Sequence, residues 1–201
     1  HQWWAHQVIG ANAKGATLMS ESMSEYVSLK VLEKRYGEDK MRIFLKDALD
    51  RYLTGRAFEG IKERPLMYNE NQQYIHYNKA GLMMYTLSDF IGKDKFNKAL
   101  KAFMDMYRYQ SSPYADIGTF VNMIKEETPE YLRYLVDDTF SKITLYENKA
   151  KSASAKQNGD GTYEVEFTVE AKKVFSDSLG NQTNAKLNDW LEVGILGESD
   201  L

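Results

Sequence analysis

The spacing of apolar residues changes once along this chain, near residue 148, and this change limits the folds that the chain can adopt. Before it, apolar side chains recur at the spacing of a helix face, as in residues 41–53. After it, residues 163–170 alternate between apolar and polar side chains, which indicates a strand with one face in solvent. We therefore predict a mainly α-helical part in residues 1–147, followed by a small, incomplete β-sandwich in residues 148–201.

Signals for the start and end of helices divide the first part into separate helices. Glycine is common just after a helix, and Gly37 and Gly92 stand where the helical spacing stops. Proline is favoured in the first turn of a helix, and Pro129 precedes a short apolar repeat. The predicted helices cover residues 24–36, 41–53, 77–91, 96–107, 115–127 and a short segment after Pro129.

Turn signals divide the second part into strands. Residues 158–161, Asn-Gly-Asp-Gly, are a strong turn signal, so we predict a hairpin that pairs residues 150–156 with the strand after the turn. A second turn is expected at residues 178–181. Apolar residues alternate again in residues 191–195, and we predict a late strand there.

The composition excludes several classes of function. The chain has 201 residues and no cysteine, which excludes disulfides, thiol chemistry and a cysteine-based zinc site. The formal net charge is −3 and the lysines are scattered, so we expect no nucleic-acid partner. No apolar run approaches the roughly 18 residues needed to cross a bilayer, so we expect no direct membrane insertion.

Three short segments carry residues that could do chemistry. His1 opens the chain in the sequence His-Gln-Trp-Trp, and Tyr77 stands in Tyr-Asn-Lys. Between them, Glu21 and Glu25 lie one helical turn apart. Each segment has an ordinary structural explanation when it is taken alone. A single histidine is more often structural than a ligand, a pair of glutamates at this spacing is usually solvated, and the chain has 14 tyrosines.

Taken together and in this order, the segments resemble the gluzincin aminopeptidases, the family of aminopeptidase N. That family carries His-Glu-x-x-His followed by Gln-Trp, then Asn-Glu-Gly-Phe-Ala-Glu-Tyr on the next helix, then Tyr-x-Lys-Gly. The run from His1 to Trp3 matches the second histidine of the zinc motif and the residues after it. Glu21 and Glu25 match the second motif, and Tyr77 matches the tyrosine of the third.

The resemblance implies a zinc-dependent hydrolase that removes N-terminal residues from peptides, with residues 1–147 as the helical C-terminal part of its catalytic domain. His1 and Glu21 would be zinc ligands, and water would take the open position on the metal. Glu25 would orient a ligand without touching the metal. The hydroxyl of Tyr77 would donate a hydrogen bond to the oxyanion of the tetrahedral intermediate.

A narrower resemblance involves residues 19–53 and 74–77. They are similar to the peptidase part of large bacterial membrane proteins in which an ABC-permease-like part is fused to an aminopeptidase. This likeness implies a parent protein that is attached to a membrane and has an extracytoplasmic peptidase part. Its partner would be a peptide substrate.

The chain departs from the family pattern in several places. The first zinc histidine, the general-base glutamate and the Gly-x-Met-x-Asn segment of the family precede the position of His1 and are not in this sequence. We therefore expect a fragment that is inactive as given, since a general base alone contributes about 10²–10⁴ in rate. We expect it to bind no zinc by itself, since a zinc ligand of the family is missing. One extra residue separates His1 from Glu21, which keeps Glu25 as the alternative ligand. Ala80 stands where the family has glycine.

Two other interpretations stay open. A non-catalytic interaction module derived from such a peptidase would use the same helical and β parts to bind a partner. An all-helical structural domain would match the three motifs by chance. If upstream helices are missing, Trp3, Trp4 and Val8 would expose apolar surface, and the chain would self-associate through it. We interpret His6 as a polar residue on the flank of a helix. His76, next to Tyr77, could line a cleft, but we favour a packing or surface position for it.

Overall fold

The computed structural model describes residues 4–5, 10–195 and 197. The chain forms two compact units, of which the first is mainly helical and the second is a small sheet. The first unit comprises His1–Thr144 with Ser176–Asn181. The second comprises Leu145–Phe175 with Gln182–Leu201.

Helices of three kinds make up most of the described part of the first unit. Its α-helices are α1 (Met23–Tyr36), α2 (Met41–Phe58), α3 (Ala80–Ile91), α4 (Lys93–Tyr107), α5 (Ile117–Glu127) and α6 (Arg133–Phe140). Two π-helical turns, Leu18–Ser22 and Tyr74–Lys79, lead directly into α1 and α3. Short 3₁₀ turns lie at Glu38–Lys40, Leu66–Tyr68 and Glu130–Leu132. No helix in the described ranges is long and apolar enough to cross a membrane.

The helices predicted from apolar spacing are present, with shifted ends. Gly37 ends α1 with φ 86°, and its N–H donates to the Glu33 carbonyl oxygen at 2.8 Å. Helix α2 continues beyond the predicted end at residue 53, as far as Phe58. The helix predicted to start at Tyr77 is π-helical up to Lys79 and becomes α-helical only from Ala80.

Aromatic side chains on α4, α5 and α6 form the centre of the helical core. The rings of Phe103 and Phe120 meet edge to face at 5.1 Å, and Phe120 meets Phe140 in the same way at 6.1 Å. Such edge contacts add about 0.5–1.5 kcal/mol per pair to the effect of burying the rings. Because each helix contributes a ring to its neighbour, this chain of contacts packs the three helices together.

The expectation that Trp4 exposes apolar surface is wrong. Its side chain is only 5% exposed and belongs to the helical core, so it does not contribute to the exposed patch predicted around it. A large aromatic ring that packs against the core removes its own apolar area from water. Trp3 and Val8, the other members of that predicted patch, lie outside the described residues.

The second unit contains a single sheet of three strands in the order β1-β2-β3. The strands are β1 (Ile143–Gln157), β2 (Tyr163–Ser176) and β3 (Gln182–Ala185). The predicted hairpin turn is confirmed, since the Asn158 N–H donates to the Thr162 carbonyl oxygen at 2.8 Å. The first strand begins at Ile143, earlier than the predicted residue 150. In the described residues there is one sheet rather than the two packed sheets of a sandwich.

The late strand predicted in residues 191–195 is wrong, because the structure has no strand there. Side chains attach the preceding segment to the sheet in place of backbone pairing. The carboxylate of Asp189 accepts a hydrogen bond from Lys173 Nζ at 2.8 Å and another from the Tyr146 hydroxyl at 2.6 Å. The alternating Leu191, Val193 and Ile195 are all exposed, so alternation alone did not indicate a buried face.

A carboxylate shared by three donors links α1, α3 and the start of α4. Glu33 accepts from Lys30 at 2.6 Å, from the Tyr85 hydroxyl at 2.6 Å and from Lys93 at 3.0 Å. Burial alone would raise the pKa of Glu33, but these hydrogen bonds outweigh it and lower the pKa to about 2. The pKa is lower in the folded than in the unfolded chain, so the stabilisation is complete above about pH 4.5 and is lost as pH falls toward 2.

We therefore expect acid to destabilise the native chain more than a Glu33→Gln variant. Between pH 6 and pH 3 the native chain should lose about 1–2 kcal/mol more free energy of unfolding than the variant. Urea unfolding at the two pH values measures the difference. The same substitution at the exposed Glu126 is the control and should leave the acid sensitivity unchanged. Equal acid losses in the native chain and Glu33→Gln would contradict the assignment.

Candidate functional site

Two π-helical turns carry the residues that the sequence singles out for chemistry. Glu21 lies in the turn Leu18–Ser22, and Tyr77 lies in the turn Tyr74–Lys79. A π-helical turn is rare, is found mostly as a single turn joined to an α-helix, and frequently marks a functional site. Both turns have this form, since each is followed at once by an α-helix.

A hydrogen bond from Ser22 joins the two π-helical turns. Its hydroxyl donates a hydrogen bond of 2.7 Å to the carbonyl oxygen of His76, and both residues are buried. In a π-helix the carbonyl groups bond five residues ahead, and a side-chain donor can satisfy a carbonyl that this pattern leaves free. The sequence offered no signal for this bond, because a serine near the start of a helix usually caps that helix.

The structure brings Glu21 and Tyr77 together. The Tyr77 hydroxyl donates a hydrogen bond to the Glu21 carboxylate. This bond, together with partial burial and the nearby negative charges of Glu21 and Glu25, raises the pKa of Tyr77 to about 12. The phenol is therefore protonated over the whole physiological pH range and can act as a hydrogen-bond donor.

Glu25 lies one turn further along, on α1, beside the same site. Burial raises the pKa of Glu25, and the positive charge of Arg51 opposes that effect. Helix α3 approaches closely here, because a Cβ on Gly81 would stand 2.8 Å from Glu25 Cγ. This close approach therefore requires a glycine at position 81. Ala80, which stands where the resembling family has glycine, is fully buried.

His76 lies against Tyr77 inside the structure. It is 5% exposed, and its ring meets that of Tyr77 edge to face at 4.7 Å. Burial lowers the pKa of His76, although the Glu21 carboxylate acts in the opposite direction. The imidazole is therefore neutral near pH 7, and its buried Nδ1 has no hydrogen-bond partner among the residues that the structure describes.

A cavity of about 430 Å³ opens beside Tyr77 and Glu25, between α1 and α2. Its polar lining includes Asn78 and the ion pair of Arg51 with Asp47, whose closest atoms are 2.9 Å apart. Cavities of about 300–1,000 Å³ are typical of small-molecule sites. The cavity therefore has room for a small molecule beside Tyr77.

The described residues supply part of a zinc site at most. Zinc in a hydrolase takes three protein ligands, usually histidine and carboxylate. Glu21 offers a carboxylate, but no group of three histidine, aspartate or glutamate side chains comes together among the described residues. His1, the other predicted ligand, lies outside them. The carboxylate of Glu21 is of a ligand type that zinc accepts.

The pairing of Glu21 with Tyr77 has a measurable consequence. We expect a Glu21→Gln variant to lower the pKa of Tyr77 from about 12 toward the ordinary value, because the charged acceptor is lost. At pH 10.5 about 3% of a phenol with a pKa of 12 is ionised, compared with about three quarters at a pKa of 10. The ¹³Cζ resonance of Tyr77, assigned with Tyr77→Phe, reports the ionised fraction.

The matched control changes a glutamate that lies on another helix. Glu126→Gln, on the exposed face of α5, should leave the Tyr77 resonance where the native chain has it. If Tyr77 of the native chain is already mostly ionised at pH 10.5, the hydrogen bond to Glu21 is not present in solution.

The sequence was compared with models of known protein families and with curated proteins. No family model matches it, and no curated protein matches it.

Proposed function

We propose that the helical unit is part of the catalytic domain of a gluzincin-type zinc aminopeptidase, with Glu21 as a metal ligand and Tyr77 as the oxyanion donor. The observation that carries the proposal is the hydrogen bond from the Tyr77 hydroxyl to the Glu21 carboxylate. These residues are far apart in the sequence and were selected only by their likeness to two motifs of that family. On the same proposal the second unit corresponds to the small β-sandwich that follows the catalytic domain.

The π-helical turn at Glu21 supports the assignment of this residue. The sequence has one residue more between His1 and Glu21 than the family pattern. A π-helical turn contains one residue more than an α-helical turn, and Leu18–Ser22 is such a turn. The extra residue can therefore be accommodated locally without changing the side of the helix on which the carboxylate projects. This favours Glu21 over Glu25 as the ligand.

Each residue of the proposed site would have a separate role in the hydrolysis. Zinc, when bound, would lower the pKa of a water molecule and polarise the scissile carbonyl group. The Glu21 carboxylate would hold the metal, and the protonated hydroxyl of Tyr77 would donate to the oxygen that becomes negative in the transition state. Glu25, on the next helical turn, would orient a metal ligand without contacting the metal itself. The cavity beside Tyr77 would take a side chain of the peptide.

The 201 residues contain no His-Glu-x-x-His sequence, and so no general base of the family type. Loss of a general base typically lowers the rate by about 10²–10⁴. We therefore expect this chain by itself to hydrolyse no aminoacyl-nitroanilide. A version extended upstream, so that a His-Glu-x-x segment precedes His1, should bind one zinc ion per chain and hydrolyse the substrate.

Zinc content after dialysis against trace zinc tests the proposal, with mass spectrometry as the readout. In the extended version, Glu21→Gln should abolish zinc binding, and Glu25→Gln should weaken it about 10–100-fold. Tyr77→Phe should keep the zinc and lower kcat by about 10²–10³, the cost of losing one oxyanion donor. Glu126→Gln is the control and should change neither quantity.

Each alternative gives its own result. If Glu25→Gln abolishes zinc binding and Glu21→Gln does not, Glu25 is the ligand. If neither the chain nor its extended version binds zinc, the peptidase assignment is wrong. The interpretation as a non-catalytic interaction module would then take its place, and partner binding would be the activity to measure.

A further inference from the structure

Lys79 is a buried lysine on the same π-helical turn as Tyr77. Its side chain is only 6% exposed, and Nζ lies 2.5 Å from Oε1 of Glu63, whose side chain is 7% exposed. Residues two positions apart on a helix do not share a face, so Lys79 and Tyr77 contact different partners. Tyr77 contacts Glu21, and Lys79 contacts the segment that follows α2.

Side chains of α2 also contact the Glu63 carboxylate. Arg56, in the last turn of α2, also pairs with Glu63, and the Tyr52 hydroxyl donates to the same carboxylate at 3.3 Å. The ammonium group of Lys79 lies 5.3 Å from the centre of the Tyr52 ring. One carboxylate therefore receives two positive charges and one hydroxyl, and all the donors of this cluster except Lys79 belong to α2.

Such a cluster adds little net stability but restricts geometry strongly. Removing two charges from water costs about as much as their attraction returns, so apolar residues of similar size are often equally stable in the same place. Apolar side chains, however, can slide past each other, whereas a buried charge has to stay within contact distance of its partner. The Lys79–Glu63 pair therefore determines where the end of the π-helical turn lies relative to α2.

A second attachment lies on the other side of Tyr77. The carbonyl group of His76 accepts the hydrogen bond from Ser22, which belongs to the first π-helical turn. Tyr77 thus stands between two fixed points, His76 and Lys79. Helix α2 also presses against the start of the turn, since any side chain at Gly55 would overlap Tyr74.

We infer that Lys79 is a positioning residue. Its buried ion pair with Glu63 holds the π-helical turn in place, so that the Tyr77 hydroxyl keeps its hydrogen bond to the Glu21 carboxylate. The catalytic meaning of this position depends on the proposed function, but the contact itself does not. Lys79 does not reach the proposed substrate cavity, and its effect is transmitted through the backbone of the turn.

The test uses the Tyr77 ¹³Cζ resonance of the full chain at pH 6. The variant Lys79→Met/Glu63→Leu removes both charges and keeps the buried volume similar. We expect its Tyr77 resonance to move at least halfway to the position found in Glu21→Ala, which removes the acceptor and defines the state without the hydrogen bond. A role in stability alone would change the melting temperature and leave the resonance in place.

The control is Lys125→Met, which removes another lysine of the helical unit, 2.7 Å from Asp137. Its Tyr77 resonance should stay at the native position. If the double variant does not fold, Glu63→Gln, which removes only the negative charge, gives the same readout. An unmoved Tyr77 resonance in a folded Lys79 or Glu63 variant would overturn the inference. Failure of the zinc test would instead remove the proposed function and leave this result unaffected.

Discussion

Replacing Gly15 with alanine is expected to destabilise the helical unit by about 3–5 kcal/mol, a large part of the typical total of 5–15 kcal/mol. Two physical effects add up at this position. Gly15 has φ +82°, a left-handed conformation that costs any other L residue about 1–2 kcal/mol. A Cβ would also overlap the Met67 carbonyl oxygen, would lie 2.8 Å from the Met67 carbonyl carbon and would crowd Ile117.

The overlap at Gly15 is with backbone, so a change of side-chain rotamer cannot relieve it. The residues after Gly15 run directly into the first π-helical turn, and the Leu18 N–H donates to the Gly15 carbonyl oxygen at 2.8 Å. A shift of Gly15 would therefore also move the turn that carries Glu21. We expect the variant to lose stability and, where it still folds, to shift the ¹³Cζ resonance of Tyr77.

The chain contains a matched control for Gly15. Gly37 has a similar φ of +86°, and nothing lies within 4 Å of the position of its Cβ. Gly37 has ψ 160°, a backbone region essentially restricted to glycine, so Gly37→Ala should cost only the conformational part, about 1–3 kcal/mol. Urea unfolding of both variants separates the two effects. A Gly15→Ala variant that loses no more stability than Gly37→Ala would show that Met67 moves aside without cost.

Periodicity predicted those parts of the fold that depend on local sequence. The helices were found because each buries one face, and glycines such as Gly37 and Gly92 stop them. The strand from Tyr163 was found because its alternation is regular. The failed prediction in residues 191–195 had the same alternation, but the buried Lys173–Asp189 pair holds the preceding segment without strand pairing. Alternation predicts a strand only where a neighbouring edge is available.

The candidate site could be predicted only in part. Glu21, Glu25 and Tyr77 were selected by resemblance, and the structure brings Glu21 and Tyr77 into contact. Neither the π-helical turns nor the bond from Ser22 to His76 has a local sequence pattern, because packing between distant segments determines both. A buried lysine such as Lys79 is likewise invisible in sequence, where lysine ordinarily indicates an exposed position.

The ion pair of Lys79 with Glu63 gives the second large effect. Glu63→Leu should destabilise the chain by about 3–5 kcal/mol, because it leaves the buried Lys79 without its carboxylate. Lys79→Met/Glu63→Leu should cost much less than this single change, since Lys79 leaves no unpaired charge and only Arg56, whose side chain is 26% exposed, loses its carboxylate partner. Urea unfolding is best compared at pH 6, because burial and the nearby Arg56 lower the pKa of Lys79 to about 7 and the lysine is protonated there.

The pH dependence of the single variant has the same origin, because loss of the Glu63 carboxylate lowers the pKa of Lys79 further. A lysine whose pKa is lowered by folding is penalised most below its folded-state pKa, and the penalty diminishes as the pH rises toward the ordinary value of about 10.4. The free energy of unfolding of Glu63→Leu should therefore rise between pH 6 and pH 9, whereas that of the double variant, which has no Lys79, should lack this rise. If the double variant is as unstable as Glu63→Leu at pH 6, Lys79 is not the group that Glu63 neutralises. If the double variant regains the free energy of unfolding that Glu63→Leu loses, and its Tyr77 resonance is displaced, the ion pair determines the position of Tyr77 rather than the stability of the chain.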